Sequence, residues 1–93
     1  IAHGYLLVSL MPRLLDSIVV FEGVKRVINY GVNEVRFRNM VPAGKRVRMR
    51  TTLKSARQRA GGLQVILENT LEIEGDAKPA CTAEVLVLYF FEA

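Results

Sequence analysis

Between Tyr5 and Phe21 the chain offers almost no polar surface. Tyr5, Leu6, Leu7, Val8, Leu10, Met11, Leu14, Leu15, Ile18 and Val19 wrap most of the circumference of a 3.6-residue helix. Ser9, Arg13, Asp16 and Ser17 form a single polar stripe at i, i+4, i+7 and i+8. A helix this apolar must be covered on several sides, so the rest of the chain has to provide an enclosing surface or recruit one. Pro12 removes a backbone N–H and is expected to kink or restart the helix. Glu22–Gly23 supplies the stop.

Beyond Gly23 the chain reads as strand. Val27 to Phe37 ends in alternation, with Val35 and Phe37 on one side and Glu34, Arg36 and Arg38 on the other. Val41-Pro42-Ala43-Gly44 is a turn. Arg46 to Leu53 sets Val47, Met49, Thr51 and Leu53 against Arg46, Arg48 and Arg50. Ala60-Gly61-Gly62 closes a hairpin. Leu63 to Ile73 points Leu63, Val65, Leu67, Leu71 and Ile73 inward, and Glu68, Glu72 and Glu74 outward. Glu74 to Ala77 turns the chain into a last strand, Ala80 to Phe91. The end of that strand is apolar on both faces, which calls for a central place or a covering partner. One greasy helix followed by four strands predicts an α+β fold, an antiparallel sheet curling around the helix.

At 93 residues the chain makes one domain, 1–93. A domain of this size buries only about 60–65% of its unfolded surface, so a partner surface is expected. The 51% hydrophobic content excludes a disordered or low-complexity segment. A single cysteine, Cys81, excludes a disulfide framework and a cysteine zinc site, and points to a reducing, cytoplasmic compartment. No stretch reaches the roughly 18 apolar residues of a membrane span, and Ile1–Leu10 lacks the charged flank of a signal peptide. The start without Met, inside an apolar run, suggests a preceding segment.

The net charge of +4 suits a phosphate-bearing substrate as well as nucleic acid. Arg46, Arg48 and Arg50 form either an anion patch or a solvated face paired with Glu68, Glu72 and Glu74. Pairing is favoured, because no aromatics interleave with the arginines. No nucleic acid or membrane is therefore expected as a partner. His3, the one histidine, has no carboxylate nearby in the chain, and no Ser-His-Asp set, phosphate loop or metal-spaced cluster is present. Gly4 opens the helix, where free N–H groups meet the positive end of the helix dipole; it is either a donor to a developing oxyanion or a glycine that permits close packing. Ser9 belongs to the polar stripe. Asn29-Tyr30-Gly31-Val32-Asn33 implies a bulge whose amides line a cleft or satisfy the bulge.

Ile1-Ala2-His3-Gly4-Tyr5-Leu6 resembles the "I-x-H-G" opening of the central helix in MaoC-like dehydratases, the (R)-specific enoyl-CoA hydratase family with its NodN-like branch. Ile28 to Phe37, then Val41-Pro42-Ala43-Gly44-Lys45-Arg46-Val47, is similar to that family's second strand and its "P-x-x-G" turn, and Lys78 to Glu84 to the start of its last strand. The resemblance implies a hotdog fold, here without its front strand and as the C-terminal portion of a longer domain. It implies a homodimer with sheets joined edge to edge. It also implies reversible hydration of trans-2-enoyl-CoA to the (R)-3-hydroxyacyl thioester, with no metal or organic cofactor. Gly4 is then the oxyanion donor, and Ser9 stands beside the acyl chain or the water. Asn29, Tyr30, Gly31 and Asn33 line the substrate site, and Arg36, Arg38 and Lys45 meet the nucleotide of coenzyme A. The family's catalytic Asp and His fall ahead of Ile1, and His3 matches a second, non-catalytic histidine. A hotdog thioesterase and a non-catalytic acyl-CoA-binding or regulatory module are the alternatives.

Overall fold

The computed structural model describes residues 3–16, 18, 22–59 and 61–91. Helix α1 (Gly4–Asp16) precedes strands β1 (Val24–Phe37), β2 (Val47–Arg59), β3 (Gly62–Ile73) and β4 (Cys81–Phe91). The strands form one antiparallel sheet in the order β1-β4-β3-β2. α1 lies on one face of it, against β2 and β4. This is the expected helix-on-antiparallel-sheet arrangement of the hotdog. No helix among the described residues is long and apolar enough to cross a membrane.

α1 is shorter than its periodicity predicts. It passes through Pro12 as one element and ends at Asp16. Ile18 sits in a turn, its N–H donating to the Leu15 carbonyl at 2.9 Å. That bond, three residues back, tightens the final turn, and the β-branched run that begins at Ile18 gives little reason to continue the helix. Ser17, Val19 and Phe21 lie outside the described residues. Nor is α1 enclosed on several sides. Leu7, Met11 and Leu15, at i, i+4 and i+8, are buried on the sheet, while Tyr5 stays 83% and Leu6 50% exposed.

The two-sided apolarity of the last strand has a simple cause: β4 is central, flanked by β1 and β3, and Val87, Leu88 and Tyr89 are all buried. Along β3 and β4 the alternation is kept. Leu71 opposes Cys81, Leu67 opposes Val85 and Val65 opposes Val87, with Leu71, Cys81 and Val65 almost fully enclosed. Leu53 keeps its predicted inward register, opposite buried Leu67, yet is 61% exposed, because β2 is an edge strand of the sheet. The β2–β3 register slips only after it, between Leu53 and Ser55. Beyond the slip β2 runs on to Arg59, further than its alternation indicates, and Gly61 (φ 81°) provides the left-handed step into β3.

The outer sheet face carries charge in matched rows. Arg48 Nε meets Glu72 Oε1 at 2.7 Å, Arg50 reaches the same carboxylate at 3.6 Å, and Arg46 lies 3.3 Å from Glu74. Lys54 sits between Glu68 (3.6 Å) and Glu84 (3.3 Å). The arginine row is thus a paired face, in agreement with the cross-strand reading.

Candidate active site

The mouth of α1 is built from His3, Gly4 and Tyr5. The His3 carbonyl accepts from the N–H of Leu6 (3.0 Å) and Leu7 (3.3 Å), and the N–H groups of Gly4 and Tyr5 are the donors of the first turn without a backbone acceptor among the described residues. The Phe37 ring covers Gly4 so closely that a Cβ at residue 4 would lie 2.8 Å from its Cε1. Tyr5 meets the same ring edge-on, with centroids 5.9 Å apart. Gly4 is therefore required for close packing, whatever its N–H does.

One turn further along the same helix stripe, Val8, Met11 and Leu15 roof a cavity of about 490 Å³ between α1 and the β1–β4 half of the sheet. Its walls are mainly apolar, including Val27, Val32 and Val87. The side chains of Asn29, Asn69 and Asp16 interrupt them. Tyr89 also lines it, and burial pushes its phenol pKa upward, with the Asp16 carboxylate adding to the rise. The cavity volume falls within the range of sites that hold small organic ligands.

The sequence-predicted residues divide between two faces. The expected bulge is present, the β1–β4 register shifting between Asn29 and Gly31, and both of these residues line the cavity. Tyr30 points to the outer face beside the Arg59 guanidinium, 5.6 Å from its ring centroid. Asn33 donates from Nδ2 to Glu84 Oε1 at 3.2 Å, also outside. Ser9 is exposed, returns its hydroxyl to the Leu6 carbonyl at 2.7 Å and is not among the cavity residues. Arg36 is exposed and registered with Thr82, and Arg38 Nε donates to Thr82 Oγ1 at 3.3 Å. Lys45 is exposed in the turn before β2, its N–H donating to Pro42. Among the described residues no cluster of three or more His, Cys, Asp or Glu side chains is placed to hold a metal ion.

Two site residues are not among the candidates drawn from the sequence. Phe37 has the pattern of an ordinary inward strand position, and nothing in the sequence signals that it lands on Gly4. Asn69 does leave a signal, because the alternation of β3 sets this one amide inside a series of leucines, isoleucine and valine.

Residues 1–74 match the family model of the MaoC like domain. The chain belongs to the MaoC-like family. It is 46% identical over 90 residues to 3-hydroxyacyl-thioester dehydratase Z of Mycobacterium tuberculosis, covering 96% of this chain and 60% of that protein. It is 35% identical over 99 residues to nodulation protein N of Rhizobium leguminosarum bv. viciae, covering 99% of this chain and 58% of the relative. The MaoC-like chain thus spans about three fifths of the length of these relatives.

Proposed function

We propose that the protein interconverts trans-2-enoyl-CoA and (R)-3-hydroxyacyl-CoA, with the cavity beneath α1 holding the acyl chain. The observation that carries this reading is the alignment of Gly4, Val8, Met11 and Leu15 on one helix stripe. A donor at the mouth is thereby set in line with an apolar cavity one turn further in. A thioester carbonyl at the mouth would accept from the Gly4 N–H. That bond strengthens as negative charge develops on the oxygen, which is how a fixed donor accelerates the reaction. The acid/base pair that adds and removes water is assigned to an Asp and a His ahead of Ile1. The side chains of this chain then bind, orient and polarise.

Phe37 touches Gly4, so its neighbours Arg36 and Arg38 stand at the same end of the molecule as the mouth. They, with Lys45, are assigned to the phosphates of coenzyme A. Hydration chemistry calls for an acid/base pair and a polarised carbonyl, and no resident cofactor is assigned. The working form is assigned as a homodimer. β1 is an edge strand 14 residues long, with Val27, Ile28, Tyr30 and Val32 all exposed, and a second copy paired there would cover it.

The test supplies crotonyl-CoA and longer trans-2-enoyl-CoA substrates and follows loss of enoyl absorbance together with release of free thiol. Hydration giving the (R) product without thiol is the expected result. Free thiol without hydration would replace this reading by a thioesterase, and binding with neither reaction by a non-catalytic acyl-CoA module.

A further inference from the structure

Asn69 is 1% exposed and lines the cavity. Its Oδ1 accepts from the Thr51 hydroxyl at 2.9 Å. Its Nδ2 has the Met11 thioether, 3.8 Å away, as its partner. A thioether is a weak acceptor, and a carboxamide nitrogen has two hydrogens to give. The reverse amide orientation would turn an oxygen lone pair toward the sulfur, so the donor end faces the helix and the cavity. A buried amide normally finds a strong partner for each donor, and leaving one without costs free energy. Set between apolar neighbours on β3 and facing Met11, this amide marks where a ligand oxygen would be received.

The position can be measured along the helix. Met11 follows Gly4 by seven residues, roughly 10 Å at ~1.5 Å per residue, the length of an extended chain of about eight carbons. We propose that Asn69 is a specificity-determining residue, and that the acyl chain it selects carries a hydrogen-bond-accepting oxygen about eight carbons from the thioester. This rests on the reading of the cavity as the acyl site and adds to it a class of substrate, the mid-chain oxygenated acyl-CoA. Thr51 is a positioning residue: by holding Oδ1 it keeps Nδ2 turned toward the cavity.

Calorimetric titration of the protein with saturated dodecanoyl-CoA and three analogues bearing a keto group at carbon 6, 8 or 10 brackets this reach and needs no turnover. The analogue oxygenated at carbon 8 is expected to bind about tenfold more tightly than the plain chain, because its oxygen is a stronger acceptor for the Asn69 amide than the Met11 thioether that the plain chain leaves it. Asn69→Leu should reverse that preference. Should the leucine variant fail to fold, Thr51→Val serves, since it retains the amide but frees it to rotate; the preference should shrink while the affinity for the plain chain stays unchanged. Equal binding of all four ligands by the unmodified protein, or the same preference in the variants, overturns the role of Asn69 and leaves the acyl site standing. No binding by any of the four overturns the acyl site itself.

Discussion

The Phe37 ring lies so close over Gly4 that substitutions at residue 4 act twice, once on packing and once on the backbone donor. The two effects separate by comparison. Gly4→Ala adds the offending Cβ and keeps the N–H, and Gly4→Pro adds it and removes the N–H. Proline is tolerated at the first helical position, so the helix should survive. Both variants should lose similar stability, and kcat of the proline variant should fall a further 10²–10³-fold or so below the alanine variant if Gly4 polarises the carbonyl. Steady-state kinetics beside thermal melts decide it, and equal kcat in the two would remove Gly4 from the chemistry. In the double variant Gly4→Ala, Phe37→Leu the stability should be partly restored, since the clash is with the ring. The cations flanking Phe37 should behave in the opposite manner. Arg36→Ala, Arg38→Ala or Lys45→Ala should raise KM for CoA substrates a few-fold with kcat nearly constant, because an exposed phosphate contact is the same in ground and transition states. Unchanged KM in all three would move the nucleotide elsewhere.

Among the elements, the charged rows on the outer sheet face make the stability of the fold sensitive to acid. Arg48, by its hydrogen bond to Glu72, holds that carboxyl below the usual carboxylate range, and Asn33 and then Lys54 do the same for Glu84. A carboxyl whose folded pKa is depressed contributes stability above its unfolded value, near 4.3, and loses it as pH falls through the folded value. Urea melts at about pH 6 and about pH 3 should therefore differ less for Glu72→Gln than for the unmodified protein. A difference of the same size would show that the ladder carries no linkage. The pairing behind this is legible in the sequence, because Arg46, Arg48 and Arg50 alternate against Glu68, Glu72 and Glu74, and two-residue periodicity fixes which face each takes. The Asn29–Asn33 bulge is legible for a similar reason, a glycine and two amides interrupting a strand. Less legible are Leu53 and the reach of α1. Leu53 keeps its inward register and is exposed at the sheet edge, and a hydrophobic pattern does not say which strand will lie at the edge. Periodicity asks for cover all round the helix because it counts apolar faces and says nothing about which chain covers them. The mouth of the site requires a contact between residues 4 and 37, a tertiary fact that no local pattern holds.

At the scale of the molecule, the exposed apolar surface of α1 and β1 leads to an expectation about assembly. Sedimentation equilibrium should show a dimer, and Ile28→Lys on β1, outside the cavity wall, should shift it toward monomer; a stable, well-folded monomer before substitution would refute the edge pairing. At the alkaline end, burial raises the pKa of the Cys81 thiol, and burial and then Asp16 raise that of the Tyr89 phenol. Both groups ionise first in the unfolded chain, so the stability they contribute is present below their ordinary values and is lost as pH rises through the folded ones. Cys81→Ala should flatten the decline in melting temperature above about pH 9, a change absent if the thiol is silent.

The order β1-β4-β3-β2 also bears on how the chain is made. The strand synthesised last is the one that joins β1 to the rest of the sheet. At 5–20 residues per second, the 44 residues from Phe37 to its partner Cys81 (81 − 37) take roughly 2–9 s to add. Throughout that interval β1 has no neighbour of its own, while the β2–β3 hairpin can already close. A ribosome stalled before residue 81 would therefore release a hairpin and a bare, sticky strand rather than a smaller version of the fold.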